Sequence, residues 1–438
     1  MKPLQVGLLG FGIVGRGTWE VLRRNEEEIT RRAGRPIRIA AIATRSRERA
    51  RDALAGANGV RLTADALAVV RNRDIDIVCE LIGGIEPARS LILEAIALGK
   101  HVVTANKALL AHHGTEIFAA AHAKGVMVAF EAAVAGGVPI VKALREGLTA
   151  NRIEWIAGII NGTANFILSR MRETGASFET VLAEAQVLGY AESDPAYDVE
   201  GIDSAHKLAI MSAIAFGVPM QFDKAYAEGI AKLTREDLRY AEELGYRIKL
   251  LGITRRTPAG IELRVHPTLI PEKRLIANVE GVMNAVLVKG DAVGATMYYG
   301  AGAGAEPTAS AVIADLVDVT RMHTADPEHR VPHLAFQPDQ LSDIPFLPIG
   351  EVVTSYYLRI RVLDRPGVLA DIARVLADRD ISIDAMIQKE SPEGEDQTDI
   401  ILLTHRSVER QVDEAIARVE SLATVRGKVT RIRMEPLN

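Results

Sequence analysis

Apolar residues near the start of the chain run together instead of alternating. LQVGLLGFGIVG, residues 4–15, is almost wholly apolar and breaks on glycines. A short continuous run of this kind reads as a strand buried on both faces. TWEVLRRN follows with helical spacing, so the stretch predicts strand, glycine turn, helix. The pattern repeats. IRIAAIATRS, DIDIVCELIGG, HVVTANKALL and VMVAFEAAVAGGVPIV each carry a strand-like run, and SLILEAIALGK and the residues after Asn106 read as helices. Strands alternating with helices predict a parallel, doubly wound sheet. Ligands of such sheets sit at the carboxyl ends of the strands, where Gly10–Gly15, Gly83–Gly84, Thr104–Lys107 and Glu131 fall.

The pattern changes near residue 139. Helices (FETVLAEAQVLG, DSAHKLAIMSAIAFG) now mix with strands (NRIEWIAGIIN, IELRVHPTLI, NAVLVKGDAVG, ATMYYG), which predicts an α+β domain. GAGAGAEPTASAVIADLVDV opens a helix expected to return to the first domain. FQPDQLSDIPFLPIGEVVTS is proline-rich and aperiodic, and reads as a linker. The tail then gives strand (SYYLRIRVLD), helix (RPGVLADIARVLADRD), strand (ISIDAMIQKE), strand (DQTDIILLTH), helix (SVERQVDEAIARVESL) and strand (VTRIRM). That order is βαββαβ, a ferredoxin-like unit. The expected boundaries are 1–138, a nucleotide domain; 139–305, a substrate domain; 306–340, the returning helix; 341–354, the linker; and 355–438, the tail domain.

Composition narrows the class. The chain has 438 residues, 48% hydrophobic and 25% charged, with net charge -5. It is long enough for two or three cores. The charge argues against a nucleic-acid or membrane-surface partner. No stretch of roughly eighteen apolar residues predicts a membrane span. Cys79 is the single cysteine, so no internal disulfide can form; with no signal peptide apparent, a reducing cytoplasm is expected.

The glycines carry the first candidate chemistry. Gly10, Gly12 and Gly15 form G-x-G-x-x-G after a strand and before a helix, the context a dinucleotide site requires. Gly10 makes the tight turn, Gly12 lets backbone approach a pyrophosphate, and Gly15 lets helix and strand pack closely. The helix start behind them offers free N–H groups to phosphate. An ordinary βα turn is the plain alternative. The second strand ends in Thr44, Arg45, Ser46 and Arg47, without the acid that usually holds a ribose hydroxyl. Arginine there suits a 2′-phosphate, so NADP(H) is favoured and NAD(H) stays possible. A solvated face of arginines (Arg45, Arg47, Arg49, Arg51) is the alternative.

GYAESDPAYDVEGIDSAHK, residues 189–207, carries Glu192, Asp194, Asp198, Glu200 and Asp203 and closes on Lys207. Asp203 and Lys207 stand one helical turn apart. On a solvated helix that pair contributes only a few tenths of a kcal/mol. Leu208, Ile210, Met211 and Ile214 make this helix mostly apolar, however, so the lysine is expected at a pocket wall. His112 and His113 are adjacent and point apart, so they are not expected to hold a metal. Cys79, Trp19 and Trp155 read as packing residues.

The glycine fingerprint, TANKALLA, FEAAVAGGVPI, NGTANFIL and GYAESDPAYDVEGIDSAHKL together resemble homoserine dehydrogenase, and DRPGVLADIARVLADRDISI resembles an ACT domain. The likeness spans essentially the whole chain. With no kinase-like stretch ahead of it, the chain resembles the monofunctional form. The resemblance implies an α/β fold: a Rossmann-type doubly wound parallel sheet, an α+β substrate and dimerisation domain, and the ferredoxin-like βαββαβ (ACT) domain. It implies an NAD(P)-dependent oxidoreductase that interconverts L-homoserine and L-aspartate 4-semialdehyde, on the route to threonine and methionine. Lys207 is then the proton donor to the carbonyl and Lys107 a contact of cofactor and substrate. Glu192 and Asp203 serve the amine or hydroxyl end, with Asp198 behind them. Gly162 and Thr163 lie near the substrate carboxylate. Phe11, Ile13, Val14, Thr104 and Gly302 join Gly10, Gly12, Gly15, Arg45 and Lys107 around the dinucleotide. Carbonyls of Glu131, Val134, Gly136 and Val138 hold a monovalent cation, Na+ or K+. Asp364, Pro366 and Gly367 form a helix-start turn that could hold an amino-acid effector, expected to be threonine; a purely structural pairing domain is the alternative. A homodimer or homotetramer is implied. A related dehydrogenase for another small amino acid, or an amino-acid sensor with a dead dehydrogenase fold, would share these features. Retention of Lys107, Glu192, Asp203 and Lys207 argues against the second.

Overall fold

The apolar runs near the N-terminus become a six-stranded parallel sheet in the computed structural model, which describes residues 2–54, 59–389 and 396–438. Its strands are β1 (Leu4–Leu9), β2 (Ile37–Ala43), β3 (Arg61–Thr63), β4 (Ile77–Glu80), β5 (His101–Thr104) and β6 (Val128–Ala129), in the order β3-β2-β1-β4-β5-β6. The order reverses between β1 and β4. That reversal opens a crevice at the carboxyl ends of the two strands. Val6, Leu8, Ile77, Val78 and Cys79 are fully buried, as expected for strands covered on both faces. The strand β6 is shorter than its apolar run suggests. The Glu131 N–H donates to Asp315 Oδ2 instead of to a neighbouring strand, and the chain turns there.

By contacts the described residues fall into two units: 1–162 with 203–225 and 282–344, and 163–202 with 226–281 and 345–438. The first unit also holds an antiparallel group of three strands, Ile153–Ile159, Met283–Gly290 and Gly294–Ala301. The helix Ala305–Met322 packs Ala309, Val312 and Leu316 into one core with Leu4, Val6, Trp19 and Leu22. It therefore completes the nucleotide-binding half, as its apolar spacing leads one to expect.

The second unit is built on a hairpin of two twelve-residue strands, Tyr246–Thr257 and Gly260–Pro271. The first of these is not among the expected strands. Arg247, Lys249, Gly252, Arg255 and Arg256 dilute its apolar pattern. On the far side of the hairpin, Thr430–Met434 pairs in parallel with Gly260–Pro271, and Val353–Leu363, Gln397–Thr404 and Ile383–Gln388 follow in that order. With helices Val368–Ala377 and Glu409–Glu420 over a core of Tyr356, Leu358, Ile372 and Val412, the tail is the expected βαββαβ. Pro267 lies inside the strand Gly260–Pro271, where a ladder normally excludes proline. The strand tolerates it because the neighbour on that edge changes there. Tyr226–Ala227 pairs up to Val265, and Thr430–Met434 takes over from Thr268. Among the described residues no helix is long and apolar enough to cross a membrane.

Candidate active site

At the first turn, Gly10 has φ +95°, and a Cβ there would lie 2.6 Å from the Leu81 carbonyl oxygen. A Cβ on Gly15 would lie 2.4 Å from the Gly10 oxygen. Gly12 is different, because nothing stands within 4 Å of its Cβ position. Two glycines thus serve close packing and the third keeps backbone open. The helix Ile13–Arg24 starts at Gly12 with no side-chain cap, so its first N–H groups remain available to an anion. Phe11 is buried, Val14 half-buried and Ile13 exposed. This cradle fits a dinucleotide pyrophosphate. At the end of β2, Arg45 and Arg47 are exposed, and neither enters an ion pair among the described residues.

The nicotinamide end of such a crevice lies past β4 and β5, and one buried carboxylate shapes it. Glu80 Oε1 accepts from the N–H groups of Ile82 (2.8 Å) and Gly83 (3.0 Å). Its Oε2 accepts from the Thr104 hydroxyl at 2.7 Å. Thr104 Oγ1 in turn accepts from the Asn106 N–H. The Asn106 side chain donates to the Gly84 carbonyl and caps the helix Lys107–Lys124 at Leu109 N–H. Lys107 is the first residue of that helix, so this chain of bonds sets where it starts.

Lys107 and Lys207 meet on one carboxylate. Asp203, 3% exposed, receives Lys107 Nζ on Oδ1 at 2.9 Å and Lys207 Nζ on Oδ2 at 2.7 Å. Asn161 Nδ2 also donates to Oδ2 at 2.9 Å, and Lys207 Nζ donates to the Ile160 carbonyl at 2.7 Å. Burial by itself would push the Asp203 carboxyl up. The charges of Lys207 and Lys107, with their hydrogen bonds, outweigh it and hold Asp203 well below the usual carboxylate range. Lys207 is buried, and the Lys107 side chain stays one-third exposed. The arrangement offers two amines on one permanently ionised acid.

The other expected substrate residues are spread along the acidic stretch. Glu192 is exposed and Asp198 is half-buried in the short helix Ala196–Val199; Asp194, which is not expected at the substrate, accepts from the Ala196 N–H. Gly162 opens the helix Gly162–Thr174, and a Cβ there would lie 2.7 Å from the Val282 oxygen. The Thr163 hydroxyl donates to the Tyr190 carbonyl at 2.6 Å. What Thr163 has left for a carboxylate is its N–H at the helix start.

The bend carrying Glu131, Val134, Gly136 and Val138 is buried apart from Gly137 and irregular, with positive φ at Ala135 and Gly136. The Glu131 carboxylate is used locally, accepting from the N–H groups of Val141 and Lys142. Its backbone carbonyl accepts from the Val134 N–H at 3.3 Å. Gly302 lies against this bend, since a Cβ on Gly136 would be 2.5 Å from the Gly302 oxygen. Behind it, burial pushes the Asp315 carboxyl up to about 7, against the pull of Lys142 and with the help of Glu131. In the tail, Asp364, Pro366 and Gly367 are exposed, and Gly367 starts the helix Val368–Ala377 with no side-chain cap.

Three residues here escape a reading of the sequence. Glu80 shows only as an acid ending an apolar strand, a signal that could have been used. Asn161 is masked by a glycosylation-like tripeptide. The third is His206. Its Nε2 lies 3.3 Å from His112 Nε2, and Phe222 packs on both rings. Burial, followed by His112, lowers the His206 pKa to about 4, so the imidazole is neutral. The pair ties the helix of Lys107 to the helix of Lys207.

Comparison with known proteins gives the family. Residues 139–317 match the homoserine dehydrogenase family, residues 10–131 the homoserine dehydrogenase NAD-binding domain, and residues 356–423 the ACT domain. The homoserine dehydrogenase of Pseudomonas aeruginosa is 63% identical over 438 residues, covering 100% of both chains. That of Neisseria gonorrhoeae is 58% identical, again over 100% of each. The crystal structure of the Thiobacillus denitrificans enzyme is 70% identical with a TM-score of 0.95, covering 100% of this chain and 99% of that one. The S. aureus enzyme at pH 7.5 is 31% identical with a TM-score of 0.75, covering 99% of each chain. The chain belongs to the homoserine dehydrogenase family, with the NAD-binding, catalytic and ACT domains of its relatives.

Proposed function

We propose that Lys207 carries the proton of the homoserine–aspartate semialdehyde interconversion and that Asp203 holds it, with Lys107, in register. The observation that carries this reading is the meeting of both lysines on one buried, ionised carboxylate. Bound NADP(H) supplies the hydride in reduction and takes it up in oxidation. During reduction the Lys207 ammonium stabilises the oxygen that gains charge and then gives it a proton. During oxidation neutral Lys207 accepts the hydroxyl proton. The oxidative direction must draw a proton out of an ion pair, so it gains as pH rises. Glu192 and Asp203, with Asp198 behind them, meet the amine or hydroxyl end of the substrate. The N–H groups of Gly162 and Thr163 meet its carboxylate.

The finer assignments rest on separate supports. Exposed Arg45 at the end of β2 favours NADP(H) over NAD(H). Phe11, Ile13, Val14, Thr104 and Gly302 complete the cofactor site. The Val134–Val138 bend, with carbonyls of Glu131, Val134, Gly136 and Val138, suits a hard monovalent cation, sodium or potassium. The uncapped helix start at Gly367 suits the carboxylate of an amino-acid effector, and threonine, the pathway product, is our choice. The edge strand Gly294–Ala301 leaves Tyr299 58% exposed and Met297 and Tyr298 half-buried, a surface that suits pairing with a second copy.

The test is L-homoserine-dependent NADP+ reduction across pH 7–10, for wild type and Lys207→Ala, with and without threonine. Expected are a rate that climbs roughly tenfold toward alkaline pH, collapse in the variant, and inhibition by threonine. A flat profile, or an active Lys207→Ala enzyme, sinks the role of Lys207.

A further inference from the structure

The tail's last strand carries a buried arginine that reaches out of its own fold. Arg433, 1% exposed, donates through Nε to Glu409 Oε2 at 2.9 Å, inside the tail. Through Nη1 it donates to Glu228 Oε2 at 2.7 Å. Glu228 also accepts from the Tyr226 hydroxyl at 2.7 Å and lies 3.6 Å from Arg431. The Glu228 N–H donates to the Val265 carbonyl at 2.8 Å, extending the edge that Tyr226–Ala227 forms on Gly260–Pro271.

The segment does not end there. The Ile230 N–H donates to the Val199 carbonyl at 2.9 Å. A Cβ on Gly229 would lie 2.4 Å from that same carbonyl and 2.7 Å from Glu200 Cα, so only glycine allows this approach. Residues 228–230 therefore run from an ACT-domain arginine to the turn that follows Asp198. Four residues beyond Val199 the chain reaches Asp203.

We propose that Glu228 is a positioning residue, tying ACT strand Thr430–Met434 to the Ala196–Val199 turn so that the ACT domain sets the affinity for homoserine without touching it. This rests on the reading that the acidic stretch serves the substrate. The physical argument is one of leverage. Glu228 balances two arginines of the tail, and its neighbours Gly229 and Ile230 are clamped to the turn by a close backbone approach and a hydrogen bond. A shift of Arg433 within the tail pulls on Glu228 and moves the turn. Arginine suits this task because its planar fork holds Glu409 and Glu228 in one fixed geometry, where a lysine ammonium would be a point charge on a flexible stem.

The test compares the full-length enzyme with Glu228→Gln, which keeps the shape and removes the charge, and with Asp198→Asn as a reference on the same turn. Expected for Glu228→Gln is a rise of about fivefold in the KM for L-homoserine, with the KM for NADP+ and kcat within about twofold. Arg433→Lys should move the same constant in the same direction. A general loosening would raise both KM values together, and that outcome overturns the proposal. So does an unchanged homoserine KM in Glu228→Gln when Asp198→Asn raises it. If neither variant moves that KM, the substrate reading of the stretch falls, and the proposal with it. If Glu228→Gln alone moves it, the turn acts through its backbone, and the proposal stands.

Discussion

Two kinds of buried charge cluster in this protein look alike on paper and differ in the residue that carries the positive charge. In the first unit, Asp203 collects Lys107 and Lys207. In the second, Glu262 and Glu435 collect Arg264, and Glu409 and Glu228 collect Arg433. Arg264 and Arg433 are each 1% exposed. Both kinds of cluster cost desolvation, which the mutual attraction has to offset. A guanidinium keeps its proton at any working pH and binds carboxylates through a rigid fork. It is suited to fixing geometry. An ammonium on a flexible stem can give up a proton. In the proposed mechanism lysine stands where a proton has to move, and arginine stands where the hairpin Tyr246–Thr257/Gly260–Pro271 meets the ACT strand. The same contrast separates a site from a joint.

The sharpest way to break that contrast is to exchange the two cations. Lys207→Arg keeps charge and length but cannot deprotonate. Its kcat for homoserine oxidation should fall about a thousandfold, with the KM for NADP+ within about twofold. Arg433→Lys, the reverse exchange at the joint, should keep most of kcat. A Lys207→Arg enzyme at more than a tenth of the wild-type rate would mean that charge alone matters, and the comparison would fail.

The next largest effect concerns the acid. Asp203→Asn leaves two lysines sharing a buried neutral amide, at a cost of about 3 kcal/mol in urea unfolding. The pH dependence has a definite sign. Because the folded-state pKa is depressed, the stability contributed by Asp203 is present above its unfolded value of about 3.9 and is lost as pH falls through the folded value, which lies well below. The gap between wild type and Asp203→Asn should therefore be constant from neutral pH down to roughly 4 and close only in stronger acid. A gap that closes at pH 6 would show that the ion pair is not what holds the cluster.

Much of this was legible in the sequence because it is local. The parallel sheet, the βαββαβ tail and the Asp203–Lys207 turn each rest on spacing within one or two elements. What spacing could not give was long-range. Lys107 lies 96 residues before Asp203, and only the family resemblance put both at one site. The joining of Thr430–Met434 to Gly260–Pro271 spans more than 150 residues of chain, and its only local trace is Pro267 at the seam between two neighbours. Glu80 and Asn161 escaped for another reason. Each acts through hydrogen bonds to backbone or to a second side chain, and a residue's partners are not written in its type.

Arg45 supplies the smallest prediction, and it probes the arginine half of the comparison from the opposite side. Arg433 is buried and matched by carboxylates; Arg45 is exposed and enters no ion pair among the described residues. An arginine held by acids fixes a structure, and one left open at the end of β2 is available to a phosphate. In Arg45→Ala the kcat/KM for NADP+ should drop about tenfold, the worth of one charge-assisted hydrogen bond in water-accessible surroundings. The same constant for NAD+, which lacks the 2′-phosphate, should stay within about twofold, and thermal stability should not move because nothing folded depends on this side chain. Steady-state assays with each cofactor decide it. A drop that is equal for both would place Arg45 on the shared pyrophosphate or ribose and leave the preference for NADP(H) without its carrier. No drop for either would return Arg45 to the solvated surface and pass the question to Arg47, which stands two residues on, exposed at the start of the helix Arg47–Ala53.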